Sequence, residues 1–326
     1  MRTRSMALFA TMGCLFFAVA NVPSAAAQDY PVRPITIVVP FPPGAANDST
    51  ARAMQNRLKE LLGQPIVVEN RPGAGGNIGA VSVAKAQPDG YTLLLVTNTV
   101  FTVGPWLSAT PPFDPLKDFV QISKLASTPM LLVVNPTLPV KSVPEFIDYA
   151  RKHPGELSYA TAGVGSGHHI AGEHFKQAAN INIVAVPYKG GGPAMTDLLG
   201  GHIKSAMAVL PAIMPYLQSD KIRVLAVLDK KRTPSLPDVP TLSETVPGVE
   251  MTVWLSLAAP AGTPPEIVSR LNRAVAEALN SEEIKQAFAK QGLVAETSTP
   301  GAVADEIRDE SARWAKVIEK AGIPKE

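Results

Sequence analysis

The sequence predicts an α/β protein of two lobes with a ligand cleft between them. Three observations carry that reading. Short apolar strands alternate with helical patterns twice over, once before Val100 and again after Ser142. Two longer extended stretches, Leu125 to Val134 and Val253 to Ala258, lead the chain out of the first unit and back into it. Each unit also carries a loop of glycine and proline between a strand and a helix. These are Pro40-Phe41-Pro42-Pro43-Gly44-Ala45-Ala46-Asn47-Asp48 and Thr161-Ala162-Gly163-Val164-Gly165-Ser166-Gly167-His168-His169. In such a clamshell the strand-end loops of both units face one cleft. The expected division is a leader over 1–27, lobe 1 from 28–129 and again from 253–326, and lobe 2 from 130–252.

The leader is read from a basic start (Arg2, Arg4), an apolar run from Met6 to Ala20, and the small residues Ala25-Ala26-Ala27 before Gln28. It is the pattern of a secretory signal peptide and points to the periplasm. Cys14 is the only cysteine and falls inside it, so the mature chain offers no thiol, disulfide or cysteine metal site. Without Arg2 and Arg4, Lys+Arg falls from 30 to 28, equal to the 28 Asp+Glu. That balance argues against a nucleic-acid surface. No later segment is apolar enough to span a bilayer.

Ile35 to Val39 is a continuous apolar run typical of a buried parallel strand. Met54, Leu58, Leu61 and Leu62 then fall at helical spacing, with Asn47 or Asp48 as the expected cap and Gly63 as the stop. Further strands are expected at Ile66 to Val68 and Tyr91 to Val96, with a helix between them showing Ile78 and Val81 on one side. The order implies right-handed crossovers and a parallel sheet. In the second unit Ser142 and Glu145 form a capping box. Strands follow at Leu157 to Thr161, Ile183 to Val186, Ile203 to Leu210 and Arg223 to Leu228, with a helix ending at Gly200-Gly201. Thr263 and Glu266 form a second box, and Ile307, Trp314 and Ile318 mark a final helix from Thr299-Pro300.

The loop from Thr161 to His169 carries the chemistry. Its glycines let a ligand approach the main chain, and Ser166 is a good N-cap. The first N–H groups of the helix behind it lack intrahelical partners, which suits a carboxylate or phosphate. Enzyme motifs fail here. A nucleophile elbow needs glycines two residues either side of its serine, where Ser166 has Val164 and His168. A dinucleotide fingerprint fails at His168, and there is no Walker sequence. His169 and Glu173 stand one helical turn apart, but His169-Ile-Ala-Gly-Glu173-His174 has one residue too many for an H-x-x-E-H zinc helix. A hydrogen-bonded histidine is the favoured reading, with no metal and no cofactor.

Several stretches together resemble one family. They are Val38-Val-Pro-Phe-Pro-Pro-Gly44 with Asp48, Val68-Glu-Asn-Arg-Pro-Gly-Ala-Gly-Gly-Asn-Ile-Gly79, and Pro88-Asp-Gly-Tyr-Thr92. With them go Thr161-Ala-Gly-Val-Gly-Ser166, His169, Gly172-Glu173, Val186-Pro-Tyr-Lys-Gly190 and Ala259-Pro-Ala-Gly-Thr-Pro264. Over the whole mature chain the protein is similar to the Bug family of periplasmic solute-binding proteins, the receptor component of tripartite tricarboxylate transporters. The resemblance implies a type II periplasmic-binding-protein fold and a ligand carboxylate held by backbone amides and ordered waters of the two loops. A monomer that performs no chemistry is expected, because the two donor loops lack a nucleophile–base pair, with a secreted hydrolase using Ser166 as the disfavoured rival. The resemblance implies that it presents its loaded form to membrane transporter subunits, or alternatively to a membrane sensor.

Joined to the loop geometry, it puts Phe41, Pro43, Gly44, Asp48 and Asn98 on one wall. Thr161, Gly163, Gly165, Ser166, His169 and Tyr188 form the other. Asp48 is expected to fix its loop rather than to touch an anion, and Ser166 to cap its helix whether or not it also meets ligand. Three departures bear on the ligand. Ala45-Ala46-Asn47 replaces a glycine run, Ala208-Val209 a polar pair, and Trp254-Leu255-Ser256 a Trp-aromatic-Gly pattern. Phe101 and Trp254 are expected first as packing residues, while the cleft favours Tyr188 as a ligand neighbour. With these aromatics close to the cleft, the departures imply a ligand whose far end is aromatic or otherwise apolar.

Overall fold

Chain direction explains the sheet. In the computed structural model, which describes residues 30–325, three parallel strands form one end: β1 (Ile35–Val39), β2 (Ile66–Asn70) and β3 (Thr92–Thr97). A 16-residue strand, β4 (Phe119–Val134), then leaves this group. The far end is again parallel, with β5 (Ser158–Thr161), β6 (Val184–Pro187) and β7 (Ser205–Val209), and β8 (Arg223–Val227) pairs with β4. β9 (Thr252–Pro260) returns antiparallel to both β3 and β4, and the short β10 (Val294–Ala295) also pairs with β4. The order is β2-β1-β3-β9-β4-β7-β5-β6. The sheet is therefore mixed where the sequence implied a parallel one, because β4 and β9 cross its middle in opposite directions. β4 pairs with β9 as far as Pro129 and with β7 from Met130 onward.

The helices are α1 (Ala46–Leu62), α2 (Asn77–Ala84), α3 (Asn98–Thr102), α4 (Gly104–Leu107), α5 (Val143–Lys152), α6 (Gly167–Ala179), α7 (Gly191–Leu199), α8 (Leu210–Ile213), α9 (Pro265–Asn280), α10 (Glu282–Ala289) and α11 (Pro300–Ala321). They give a mixed α/β fold of two lobes, each with its own core. One core gathers Val38, Leu94, Val96, Phe101, Phe113, Phe119 and Trp254. Its three phenylalanine rings lie 5.1–6.1 Å apart at tilted or edge-on angles, the favourable aromatic arrangements. The other gathers Phe146, Tyr159, Ile170, Phe175, Met207 and Leu225. α11 belongs to both: Val303 and Ile307 pack in the first core, Trp314, Val317 and Ile318 in the second. Residues 1–27, read as a signal peptide, lie outside the described residues. Among the described residues no helix is long and apolar enough to cross a membrane.

Local chemistry differs from expectation at four helices. α1 starts at Ala46 with Ala45 as an N-cap that offers no side-chain bond, so Asn47 and Asp48 sit inside its first turn. The Asp48 carboxylate reaches back to the Gly44 N–H instead. α2 buries its small face, Gly79, Ala80 and Val83, and leaves Ile78 exposed, because that face lies close against the Pro40 backbone. At α9 the Thr263 hydroxyl donates to the Pro260 carbonyl and caps nothing. At α5 Ser142 caps the Glu145 N–H, but Glu145 accepts from Lys141 rather than closing the box on Ser142.

Candidate functional site

The second glycine loop is held by its own polar groups. The Gly163 carbonyl accepts from the Ser166 N–H at 3.2 Å, the Ser166 hydroxyl at 2.7 Å and the Thr161 hydroxyl at 3.2 Å. Ser166 Oγ in turn caps α6 by accepting from the His169 N–H. Nδ1 of His169 accepts from the Gly165 N–H at 3.0 Å, which fixes its tautomer with the proton on Nε2. Burial pushes His169 below its ordinary pKa, so it stays a neutral acceptor. Gly163 and Gly165 have φ of 132° and 71°, the left-handed region that other residues rarely adopt. A Cβ on Gly165 would also stand 2.3 Å from Leu107 Cδ1. This leaves the N–H groups of Gly167 and His168, the first two of α6, without intrahelical partners.

The first loop is held by Asp48. Its carboxylate accepts from the Gly44 N–H at 2.9 Å, from Arg52 Nε at 3.0 Å and from Asn70 Nδ2 at 3.0 Å. The bond from the Arg52 guanidinium, above all, holds Asp48 down to about 2. A carboxyl depressed on folding contributes stability that is complete above its ordinary value and disappears as pH falls through the depressed one. Asp48→Ala should therefore lower unfolding free energy by about 2 kcal/mol at pH 7, and the gap to the parent should narrow as pH approaches 2. Urea titrations across that range check it. A gap that stays constant would show that packing, rather than the charge, is what Asp48 supplies.

Both loops border a cavity of about 640 Å³. Its walls include Phe41, Asn47, Ala74, Gly75, Asn77, Thr97 and Thr99 from the first half of the chain, and Ala162 through His168 from the second. Helices α1, α2 and α6 all begin at its edge, and neither α1 nor α2 has a side-chain cap. The starts of α1 and α6 each present about half a positive charge on unpaired N–H groups, whereas at α2 the Asn77 and Ile78 N–H groups donate to the Ala74 and Gly73 carbonyls of the turn before it. Asn47 adds a donor: its side chain is 4% exposed, and Nδ2 has no hydrogen-bond partner. His168 faces the cavity, and desolvation pushes it down to about 4, so it is neutral near pH 7. The remaining lining is Val100, Val103, Gly104, Leu107, Met130, Val209 and Val253 with one hydroxyl, Ser108, and among the described residues no Lys, Arg, Asp or Glu contributes.

Of the residues expected at the site, Phe41, Gly163, Gly165 and Ser166 line the cavity. Pro43, Gly44, Asp48, Thr161 and His169 do not; the last three hold the loops from behind. Asn98 is fully buried and already engaged. It donates to the Thr252 carbonyl and to Glu310 Oε2, and accepts from the Trp254 N–H. Tyr188 turns its hydroxyl to Asp197, 2.8 Å away, and burial pushes it up to about 12. Trp254 and Phe101 are packing residues of the first core, with the Trp254 indole N–H on Glu310. Lys189 is exposed and off the cavity wall. His169 and Glu173 do not converge on a shared point: Glu173 accepts from the Tyr159 hydroxyl and pairs with Lys176. Gly172 permits this, since a Cβ there would stand 2.0 Å from the Tyr159 ring.

The turn over residues 74–77 ahead of α2, together with Asn47 and His168, lines the cavity without being among the residues expected there. Arg71-Pro-Gly-Ala-Gly-Gly-Asn77 was the available signal for the first, being a third glycine loop that ends in a helix start.

A family model described as the tripartite tricarboxylate transporter family receptor matches residues 50–323. BugT of Bordetella pertussis is 40% identical over 318 residues, covering 97% of each chain. A Rhodopseudomonas palustris protein solved with adipate is 40% identical, aligns over 91% of this chain and 100% of its own, and has a TM-score of 0.80. MatC of the same organism, solved with bound malate, is 33% identical over 89% and 100%, with a TM-score of 0.76.

Proposed function

The chain belongs to the tripartite tricarboxylate transporter receptor family, and from that premise we propose that its cavity captures a small organic carboxylate in the periplasm for delivery to a membrane transporter. One observation carries the reading. Unpaired N–H groups at the starts of α1 and α6 meet at a cavity lined by no charged side chain among the described residues. Such oriented donors stabilise a carboxylate without a counter-cation, most strongly when water is excluded. The relatives solved with adipate and malate support the ligand class.

The body of the ligand is apolar. Val209, where the resemblance implies a polar residue, lines the cavity beside Val100, Val103, Met130 and Val253. Phe41 is the aromatic residue on the wall, now that Phe101 and Trp254 are known to lie in the core. Phe41, Gly163, Gly165 and Ser166, with Asn47, Gly167 and His168, are the proposed contacts.

A thermal-shift and competition series across hexanoate, benzoate, adipate, malate, citrate and glutamate tests this. A ligand at about a hundred times its dissociation constant should stabilise the fold by roughly 2.7 kcal/mol. Apolar-bodied carboxylates should lead, and affinity should fall little between low and high salt, because the opposing charges are fractional and enclosed. Citrate or glutamate outcompeting the others would overturn the apolar assignment. Turnover of any hit would overturn the binding reading itself.

A further inference from the structure

A second cavity, of about 380 Å³, lies between α6 and the last turns of α11. Its lining comprises His174, Gln177 and Ala178 of α6, with Arg313, Lys316, Val317 and Lys320 of α11. Three cations therefore line one side of a small apolar floor in a chain whose folded part is close to neutral. Lys316 and Lys320 are exposed and form no ion pair among the described residues. Glu310 lies 4.0 Å from Arg313, but its oxygens already accept from Asn98 and Trp254. Nδ1 of His174 and Nε of Arg313, both buried in this wall, have no hydrogen-bond partner. Burial and Arg313 push His174 down to about 4, so it adds a neutral imidazole to the three charges.

We infer that this cavity is a docking site for an acidic segment of a protein partner. Charge complementarity decides the sign, and layout decides the size. Positions 313, 316 and 320 recur on one helical face over roughly 10 Å, longer than a single oxyanion and matched to consecutive carboxylates on a peptide. The lysines are open to solvent on the rim, which favours an approaching surface over an enclosed ion. The same wall connects to the first cavity. α6 starts there with Gly167 and His168 and ends here with Gln177, whose Nε2 donates to the Val317 carbonyl and fixes α6 to α11. The inference rests on these residues and is independent of which carboxylate the first cavity takes.

Fluorescence anisotropy with a labelled hexaglutamate peptide tests it, using the mature protein in buffer of low ionic strength. The peptide should bind, a hexaglutamine peptide should not, and K316Q/K320Q should weaken binding about tenfold. K230Q/K231Q, which removes the same charge from an exposed loop elsewhere, should leave binding unchanged. Both variants should retain the parent's thermal-shift response to its best carboxylate, separating this site from the first. Equal loss in the two variants would mean nonspecific charge attraction and overturn the proposal. So would absence of binding, equally strong competition by inorganic phosphate, or binding confined to vesicles of anionic lipid.

Discussion

Gly165→Val is expected to reduce carboxylate affinity about a hundredfold while the protein still folds. The replacement places a β-branched residue at φ 71° and a Cβ 2.3 Å from Leu107 Cδ1. Holding such a residue in the left-handed region costs roughly 1–3 kcal/mol, and each 1.4 kcal/mol is tenfold in affinity. The loop escapes by leaving that conformation, which breaks the Gly165–His169 bond and turns the Gly167 and His168 donors away from the cavity. Adding Leu107→Ala removes the clash and leaves the backbone strain, so the double variant should recover only part of the affinity. Lys189→Ala, exposed and off the wall, should change little. Calorimetric titration of the parent and the three variants checks this. Affinity of Gly165→Val within threefold of the parent, or collapse with Lys189→Ala, would show that recognition does not run through the loop backbone.

The second large effect concerns stability. Glu310 is 6% exposed, and its two oxygens accept from Asn98 Nδ2 and Trp254 Nε1, both at 3.0 Å. One carboxylate thus joins α3, β9 and α11. Glu310→Ala leaves two buried donors unpaired and should cost about 3 kcal/mol in urea unfolding. Glu310→Gln keeps one acceptor and buries no charge, so it should cost less. Burial pushes Glu310 above its ordinary value, despite its two donors. A carboxyl raised on folding contributes most below its unfolded value, and that contribution declines as pH rises through the folded one. Stability of the parent should decline over that range where Glu310→Gln does not. Identical pH profiles would mean that Glu310 ionises in the core without penalty.

Local patterns were legible where the chain decides locally. Ile35 to Val39 forms β1 over the bounds its apolar run suggests, Gly63 ends α1 in the left-handed conformation, and Ser166 caps α6. The two-lobed α/β fold followed from strands and helices that alternate twice, with extended crossings between. Side-chain direction was less legible. His168 and His169 are adjacent, and only the helical phase, a turn of about 100° per residue, decides which one borders the cavity. Asn98 was read as a ligand contact because it follows a strand end. Its actual partner, Glu310, is 212 positions away and becomes visible only once α11 packs against α3. Trp254, read as a packing residue, shares that distant partner. Ile78 shows the converse: its spacing suggested burial, but the tight approach of α2 to Pro40 favours glycine and alanine there.

α11 also dictates when the protein can finish folding. Trp254, Ala258, Val303 and Ile307 complete the first core, while Trp314, Val317 and Ile318 complete the second. A chain emerging from its N-terminus therefore holds β1 to β3 with an open hydrophobic face until more than two hundred further residues have arrived. Such high contact order slows folding and prolongs exposure of sticky intermediates. Neither lobe is a unit that could be expressed alone by cutting at the crossings, and loss of the last 25 residues should leave both lobes unfinished at once.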